Sequence, residues 1–253
     1  MTSDLLRATA TELLDLFASK KVSPVELTDA VLRQIEAHNP TLNAFIYLDP
    51  DATRASARAS EARWAKGAPE GLIDGIPLSI KDLTPTIGMP TRRGSRTTDP
   101  DAPQDVDAPV VAAARRHNAV LTGKTATPEF GWKGVTDSPL TGITRNPWNL
   151  ERTPGGSSGG AAAACASFMG PLHQASDGAG SIRIPAAFTG LFGIKATYGT
   201  VPNFPRASHI GDTISFCPPL IIRKDEIEEM LARFRLALDD TLEMVREKGL
   251  IDT

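Results

Sequence analysis

The sequence has few of the residues on which metal sites and disulfide frameworks depend. Its 253 residues include two cysteines, Cys165 and Cys217, and four scattered histidines. The cysteines lack a CxxC spacing, and two are too few for a disulfide framework. We therefore predict no metal site and no cofactor.

Long basic and long apolar runs are also absent. The net charge is −3, and no basic run is longer than Lys20-Lys21 or Arg115-Arg116. The segment Met1–Arg7 does not combine a basic start with an apolar core, and no stretch is long enough to span a bilayer. With 41% hydrophobic and 23% charged residues, the composition is that of a soluble globular protein. We expect a cytoplasmic protein that binds neither nucleic acid nor membrane.

What the sequence does contain is two serines enclosed by glycines. Residues 153–164 read TPGGSSGGAAAA and residues 177–185 read DGAGSIRIP, so Ser157 and Ser181 each precede a predicted helix. Glycines allow another molecule to approach the backbone closely, and the N–H groups at a helix start bind anions. A tetrahedral oxyanion needs such a place, so the pattern indicates chemistry on an acyl group.

Glycine-containing segments of this chain have two other interpretations, a flexible linker and a phosphate-binding loop. Gly155–Gly160 could be a flexible linker, although linkers do not usually run into a strong helix former such as Ala161–Ala164. Gly123-Lys124-Thr125 could belong to a phosphate-binding loop, but that motif needs a glycine where Asn118 stands. Nucleotide binding is therefore disfavoured.

Helices and strands alternate along the chain, which predicts an α/β fold. Thr9 with Glu12 and Ser23 with Glu26 form capping boxes that start two helices. The predicted strands are residues 43–48, 76–80 and 119–123, and the further predicted helices are residues 50–66, 106–117, 158–167 and 181–189.

A catalytic serine needs a base, and Lys81 is a better candidate than any histidine. It follows the apolar strand Ile76–Ile80, so its ammonium would emerge beside the core. Burial that lowers a lysine pKa from about 10.4 to about 7–8 costs on the order of 4 kcal/mol. Such a cost indicates that the buried lysine has a role. A structural or solvent-exposed lysine is the alternative. The histidines lie at predicted helix ends or without a paired acid: His38, His117, His173 and His209.

Five segments together resemble the amidase signature family: Ile80–Asp82, Gly123–Gly131, Gly142–Trp148, Gly155–Gly160 and Asp177–Pro185. The resemblance covers roughly residues 5–207 and implies a mixed sheet flanked by helices. It also implies a triad in which Lys81 is the base, Ser157 is a serine held by a cis peptide bond, and Ser181 is the nucleophile that accepts the acyl group.

The resemblance further assigns supporting groups and an activity. Asp177 and Arg183 would brace the second loop as an ion pair, and Ser158 would support the triad. The implied reaction is hydrolysis of small-molecule amides, and of activated esters, through an acyl-enzyme; aryl or small aliphatic amides are the expected substrates, ahead of glutamine-dependent amide transfer. The oxyanion would be held by four backbone N–H groups, those of Gly178, Ala179, Gly180 and Ser181, and Ala179 stands where the family often has glycine.

After residue 198 the sequence departs from the family, whose members are generally longer. Gly211–Ile222 and the predicted helix beyond it resemble the C-terminal end of class III pyridoxal-phosphate aminotransferases, without their cofactor-binding lysine region. We therefore predict a catalytic core over residues 1–208 and a foreign tail over residues 209–253. The alternative function is that of a catalytically impaired relic that acts in binding or assembly.

The predicted tail helix carries an apolar stripe at intervals of three or four residues. It would pack on its own domain or pair two copies into a homodimer. The residues of the stripe are Ile227, Leu231, Phe234, Leu238, Leu242 and Val245.

Overall fold

The computed structural model describes residues 5–102, 104–197 and 200–202, together with Glu228 and Ala232. The chain divides into two compact units, Met1–His209 and Ile210–Thr253, and the architecture below is that of the first. The apolar stripe of the predicted tail helix lies outside the described residues, and the foreign origin of the tail stays a prediction.

Both predicted capping boxes start helices. Helix α1 spans Ala10–Ala18 and helix α2 spans Pro24–Leu42; in each, the hydroxyl before the helix accepts a backbone N–H and the glutamate reaches back. Helix α2 is capped by Asn43, whose φ of 52° is left-handed. This cap turns the chain into strand β1, Phe45–Leu48, two residues later than the predicted strand begins.

A four-stranded mixed sheet forms the centre of the described unit. Strands β2, Pro77–Lys81, and β3, Val120–Thr125, are parallel neighbours, and β1 pairs with β3 in the antiparallel sense. The short strand β6, Leu172–His173, lies parallel to the other side of β2. The order β1-β3-β2-β6 thus places the C-terminal end of β2, and with it Lys81, inside the sheet.

The remaining elements largely follow the predicted helices. They are α3 (Pro50–Ala65), α4 (Pro109–Arg116), a 3₁₀ turn (Glu129–Gly131), β4 (Asp137–Ser138), β5 (Gly142–Ile143), α5 (Gly159–Ala166) and α6 (Arg183–Thr189). Helix α4 begins at Pro109 rather than Val106 because Ala108 is extended, as residues before proline usually are. The two-residue strands β4, β5 and β6 were not predicted, since such short segments carry no readable alternation.

Helices cover the sheet and bury two apolar clusters. In the larger cluster, Leu27, Val31 and Ile35 of α2 pack with Ile76 before β2 and Ala163 of α5. The three residues of α2 recur at an interval of four, which places them on one face of the helix. The predicted α/β class, a mixed sheet flanked by helices, is therefore confirmed. None of the helices described is long and apolar enough to cross a membrane.

Candidate active site

The ammonium group of Lys81 lies at the centre of a cluster of hydroxyl groups. Lys81 is fully buried at the end of β2, and its Nζ contacts Ser157 Oγ at 2.8 Å, Ser158 Oγ at 2.8 Å and Ser176 Oγ at 3.0 Å. Ser157 and Ser158 are almost fully buried as well. The expected contact between Lys81 and Ser157 is thus present, although the two residues are far apart in the sequence.

Burial lowers the pKa of Lys81 from its ordinary value of 10.5 to about 7. Desolvation is the main cause, because an apolar environment disfavours the charged form. The negative charge of Asp177 partly opposes it. This agrees with the prediction from the strand-end position, and it leaves an appreciable neutral fraction of the amine near pH 7.

The hydrogen bonds around Lys81 indicate which hydroxyl group can give a proton to its amine. The Ser158 hydroxyl donates to the carbonyl oxygen of Ser176 at 3.2 Å, so its oxygen accepts from Lys81. A neutral amine has two N–H donors and one lone pair. If Ser158 and Ser176 accept the two donors, the lone pair faces the Ser157 hydroxyl and can accept its proton.

Ser176 is the residue of this cluster that the sequence did not reveal. It lies in the loop ahead of Ser181, outside the two glycine-rich segments, and carries no motif of its own. Gln174 was missed for the same reason: its side-chain oxygen accepts the backbone N–H of Lys81 at 3.0 Å. The parallel pairing of β6 with β2 and the contacts of Ser158 with Ser176 bring this loop beside Lys81.

The loop that carries Ser157 is packed tightly by its neighbours. The Gly156–Ser157 peptide bond is cis. A Cβ atom added at Gly156 would stand 2.6 Å from the carbonyl oxygen of Val135, so only glycine fits there. Helix α5 begins directly after Ser158, and its first turn is held by the hydroxyl of Thr136, which accepts the Gly159 N–H at 3.0 Å.

The second serine loop is organised by Asp177. Its buried carboxylate pairs with Arg183, whose Nε donates to Oδ2 at 2.9 Å, as predicted. It also accepts the backbone N–H groups of Gly180 at 2.7 Å, Ile182 at 3.2 Å and Arg183 at 3.3 Å. The Arg183 guanidinium, with these N–H groups, holds the pKa of Asp177 well below its usual range. Helix α6 accordingly starts at Arg183, after Ser181.

These contacts change the expected oxyanion site. The N–H of Gly180 points to Asp177, so in this structure it is not available to an oxyanion. Gly178 and Ala179 are exposed, and Ser181 is half-buried. The N–H groups of these three residues have no acceptor within the part of the chain that the structure describes.

Ser181 is brought to the first loop through the backbone. Its carbonyl oxygen accepts the Ser158 N–H at 3.2 Å. Among residues 5–102, 104–197 and 200–202, no group forms a hydrogen bond with the Ser181 hydroxyl. The hydrogen bond between Ser157 and Ser181 that the triad requires is therefore not formed in this structure. Contacts between catalytic groups often close only when substrate binds.

The partly buried His173, which lies near the site, has a structural role. The ring of His173 contacts Ser79 Oγ through Nδ1 at 2.7 Å and the carbonyl oxygen of Gly170 through Nε2 at 3.0 Å. Desolvation lowers the pKa of His173 to about 4, so the ring is neutral near pH 7. Both ring nitrogens are occupied, which supports the choice of Lys81 over histidine as base.

Comparisons with known proteins identify the family of the chain. The chain is 46% identical over 202 residues to a glutamyl-tRNA(Gln) amidotransferase subunit of Acidothermus cellulolyticus, and the match covers 80% of this chain and 40% of that protein. The structure resembles a bacterial aryl acylamidase of the amidase signature enzymes, with a TM-score of 0.68, 39% identity, and coverage of 71% of this chain and 37% of the other.

It also resembles a peptide amidase solved with the competitive inhibitor chymostatin, with a TM-score of 0.66, 31% identity, and coverage of 71% and 38%. The chain spans about two fifths of the length of the relatives it matches. The family model named Amidase matches residues 26–216, which is most of the chain. The protein belongs to the amidase family.

Proposed function

We propose that the protein is a serine hydrolase that cleaves C–N bonds of amides through Lys81, Ser157 and Ser181. The observation that carries this proposal is the buried Lys81 amine, which has a pKa of about 7 and contacts Ser157 Oγ at 2.8 Å. A buried lysine in this state is a base matched to neutral pH. Membership of the amidase family supports the same reaction class.

In the proposed mechanism, protons move along the three side chains. Neutral Lys81 accepts the proton of the Ser157 hydroxyl, and Ser157 accepts that of Ser181 as its oxygen attacks the amide carbonyl carbon. The C–N bond then breaks, and the proton held by Lys81 returns through Ser157 to the leaving amine. A water molecule then attacks the acyl carbon, and its proton passes through Ser157 to Lys81. The bond between the acyl carbon and Ser181 Oγ breaks, the proton returns through Ser157 to Ser181 Oγ, and the acid is released.

The oxyanion of the tetrahedral intermediate would lie against the loop before Ser181. The N–H groups of Gly178, Ala179 and Ser181 are the candidate donors, since that of Gly180 is engaged by Asp177. Donors of this kind lower the barrier most when they are fixed in advance. The contacts of Asp177 with Gly180, Ile182 and Arg183 provide that rigidity.

We also propose that activated esters are cleaved, because their leaving group needs no protonation. The substrates are proposed to be small aryl or aliphatic amides, and the resemblance of the fold to an aryl acylamidase supports the aryl class. A second candidate is release of ammonia from glutamine, because relatives at 46% and 42% identity belong to amidotransferases. A glutaminase assay beside an anilide assay separates the two.

Substitution of the three side chains tests the mechanism. We expect Ser181→Ala to abolish hydrolysis of an anilide or a p-nitrophenyl ester, and Lys81→Ala and Ser157→Ala each to reduce kcat by about a thousandfold or more. Because the three groups act as a unit, double variants should be little worse than single ones. Rates are measured under substrate saturation, with acyl-enzyme trapping by mass spectrometry.

The matched control is Ser19→Ala, which removes an exposed hydroxyl at the end of α1. It should retain the activity of the unaltered protein. Near-normal turnover in Ser181→Ala contradicts the assignment of the nucleophile. If the unaltered protein hydrolyses no amide or ester, the alternative of a catalytically impaired binding or assembly protein is favoured.

A further inference from the structure

Two buried charged residues next to the site have no part in the proposed proton path. Asp82 directly follows Lys81 at the end of β2, and Lys124 lies on the neighbouring strand β3; both are fully buried. No ion pair joins them among the residues that the structure describes. Burying a charge is costly unless its hydrogen bonds are satisfied, so the partners of each group indicate its purpose.

The partners of Asp82 are backbone groups of one turn. Its Oδ1 accepts the N–H of Arg92 at 2.9 Å, and its Oδ2 accepts the N–H of Gly94 at 3.1 Å. The carbonyl oxygen of Asp82 accepts the N–H of Arg93 at 3.0 Å. One residue therefore holds three consecutive N–H groups of this turn.

Lys124 holds the other part of the same loop. Its Nζ donates to the carbonyl oxygen of Thr84, to Thr86 Oγ1 at 3.2 Å and to Thr91 Oγ1 at 3.0 Å. Residues 83–95, here called the support loop, are thus fixed from two adjacent strand ends. Asp82 and Lys124 bind different segments of it, which explains why both charges are kept without a direct pair.

The support loop in turn holds the 3₁₀ turn Glu129–Gly131. The carbonyl oxygen of Arg93 accepts the N–H of Phe130 at 2.8 Å, and the hydroxyl of Ser95 donates to Glu129 Oε1 at 2.6 Å. A Cβ atom added at Gly94 would stand 2.6 Å from the carbonyl oxygen of Thr127. The two segments are therefore in close backbone contact.

The 3₁₀ turn lies against the side chain of Ser157. A Cβ atom added at Gly131 would stand 3.3 Å from Ser157 Oγ and 2.7 Å from Leu83 Cδ1. Gly131 has a φ of +75°, a conformation that glycine adopts without strain. A displacement of this turn would consequently move the surface against which the Ser157 hydroxyl is oriented.

We infer that Asp82 and Lys124 are positioning residues for Ser157, because they fix the support loop that holds the Glu129–Gly131 turn against its hydroxyl. The inference rests on the proposed function, which gives Ser157 its part in proton transfer. Burial raises the pKa of Asp82 to about 6 and lowers the pKa of Lys124 to about 8, so both groups are mainly charged near pH 7. Each is then able to make all the hydrogen bonds described.

The test compares two buried aspartates. Asp82→Asn replaces one acceptor oxygen by a donor that faces an N–H, and we expect kcat to fall by about tenfold or more with KM changed by less than about threefold. Asp74→Asn is the matched control: Asp74 is equally buried and accepts from Ser60, Arg63 and the N–H of Glu70, at a distance from the site. It should lower the melting temperature and leave kcat within about twofold.

Two further variants cover the case in which Asp82→Asn does not fold. Lys124→Met keeps the length of the side chain and removes its three donors, and should reduce kcat in the same way. Ser95→Ala retains both charges and removes one contact between the support loop and the 3₁₀ turn, so a smaller loss of kcat is expected. A loss no greater than that of Asp74→Asn in all three variants overturns the inference.

Hydrogen exchange provides a measurement that does not depend on activity. In Asp82→Asn the amide of Phe130, which donates to Arg93, should exchange at least about tenfold faster than in the unaltered protein, while Asp74→Asn should leave it unchanged. An unchanged Phe130 amide in Asp82→Asn refutes the inference. If the unaltered protein is inactive, the proposed function fails, and the exchange experiment still decides whether the two charges position the turn.

Discussion

The proposed chemistry of this site depends on the side chain of Lys81. A buried ammonium is normally stabilised by a carboxylate, but here all three partners of Nζ are neutral hydroxyls. Hydroxyl oxygens compensate only part of the lost hydration, so the pKa falls to about 7. The cluster is suited to both protonation states: an ammonium donates to all three hydroxyls, and a neutral amine donates to two and accepts from one.

We predict that activity rises with pH to a plateau, with a midpoint near the Lys81 pKa of about 7. The sign follows from the proposed mechanism, in which the neutral amine is the active form and its fraction increases as pH rises through the pKa. The measurement is kcat/KM for a neutral anilide between pH 5 and 9. A flat profile, or full activity in Lys81→Met, would show that Lys81 is not the base.

Among single residues, the sequence predicts those site residues whose role can be inferred from the residues next to them in the chain. Lys81 could be found because an apolar strand precedes it, and the burial so predicted is observed. Ser176 could not be found, since its contact with Lys81 depends on the pairing of β6 with β2. The same holds for Gly180, whose N–H is diverted to Asp177 by the geometry of the loop rather than by its residue type.

The loop before α6 connects Ser181, the proposed nucleophile, to the electrostatics of Lys81, the proposed base. Asp177 accepts three backbone N–H groups of this loop, and its charge is also the main one that raises the pKa of Lys81. The carboxylate therefore shapes the segment around Ser181 and adjusts the proton affinity of Lys81 at the same time.

We predict that Asp177→Asn shifts the rise of the pH profile toward acid and reduces the plateau. Removal of the negative charge lowers the pKa of Lys81 further, so the neutral form appears at lower pH. The plateau falls because an amide cannot accept all the N–H groups that the carboxylate holds. Arg183→Gln is the matched comparison, as it weakens the loop and keeps the Asp177 charge. An alkaline shift in Asp177→Asn would contradict this account.

At the scale of elements, the sequence predicts best where local chemistry marks a boundary. The capping boxes at Thr9 and Ser23 started helices α1 and α2 as expected. The predicted start of α4 was wrong because the effect of Pro109 on Ala108 outweighs the helical pattern. The two residues of strand β6 are defined as a strand by their pairing with β2, so their local sequence does not predict them.

The described unit as a whole leaves several large apolar side chains uncovered near its C-terminal end. Phe192 is 90% exposed, Ile194 is 70% exposed and Phe188 is 54% exposed. Exposed apolar groups in such a series lower solubility unless another surface covers them. A surface that covered these side chains would therefore be expected to increase solubility.

Six large apolar residues at intervals of three or four form one face of the predicted tail helix. At about 1.5–3 kcal/mol each, their burial would contribute on the order of 10 kcal/mol before conformational entropy is deducted, which is similar to the net stability of a domain. We therefore expect that a chain ending at Pro205 melts at a lower temperature or aggregates.

Two substitutions in the full chain should reproduce this effect. Leu231→Asp combined with Leu238→Asp places charges in the apolar stripe, whereas Arg233→Asp places one on the opposite face and serves as control. Calorimetry measures the melting temperature, and light scattering measures the mass. Dissociation of a dimer by the stripe variant would show that the helix pairs two copies, and a lower melting temperature of a monomer would show that it packs within one chain. If the shortened chain stays soluble, equally stable and unchanged in oligomeric state, the stripe contributes nothing to stability and the prediction is wrong.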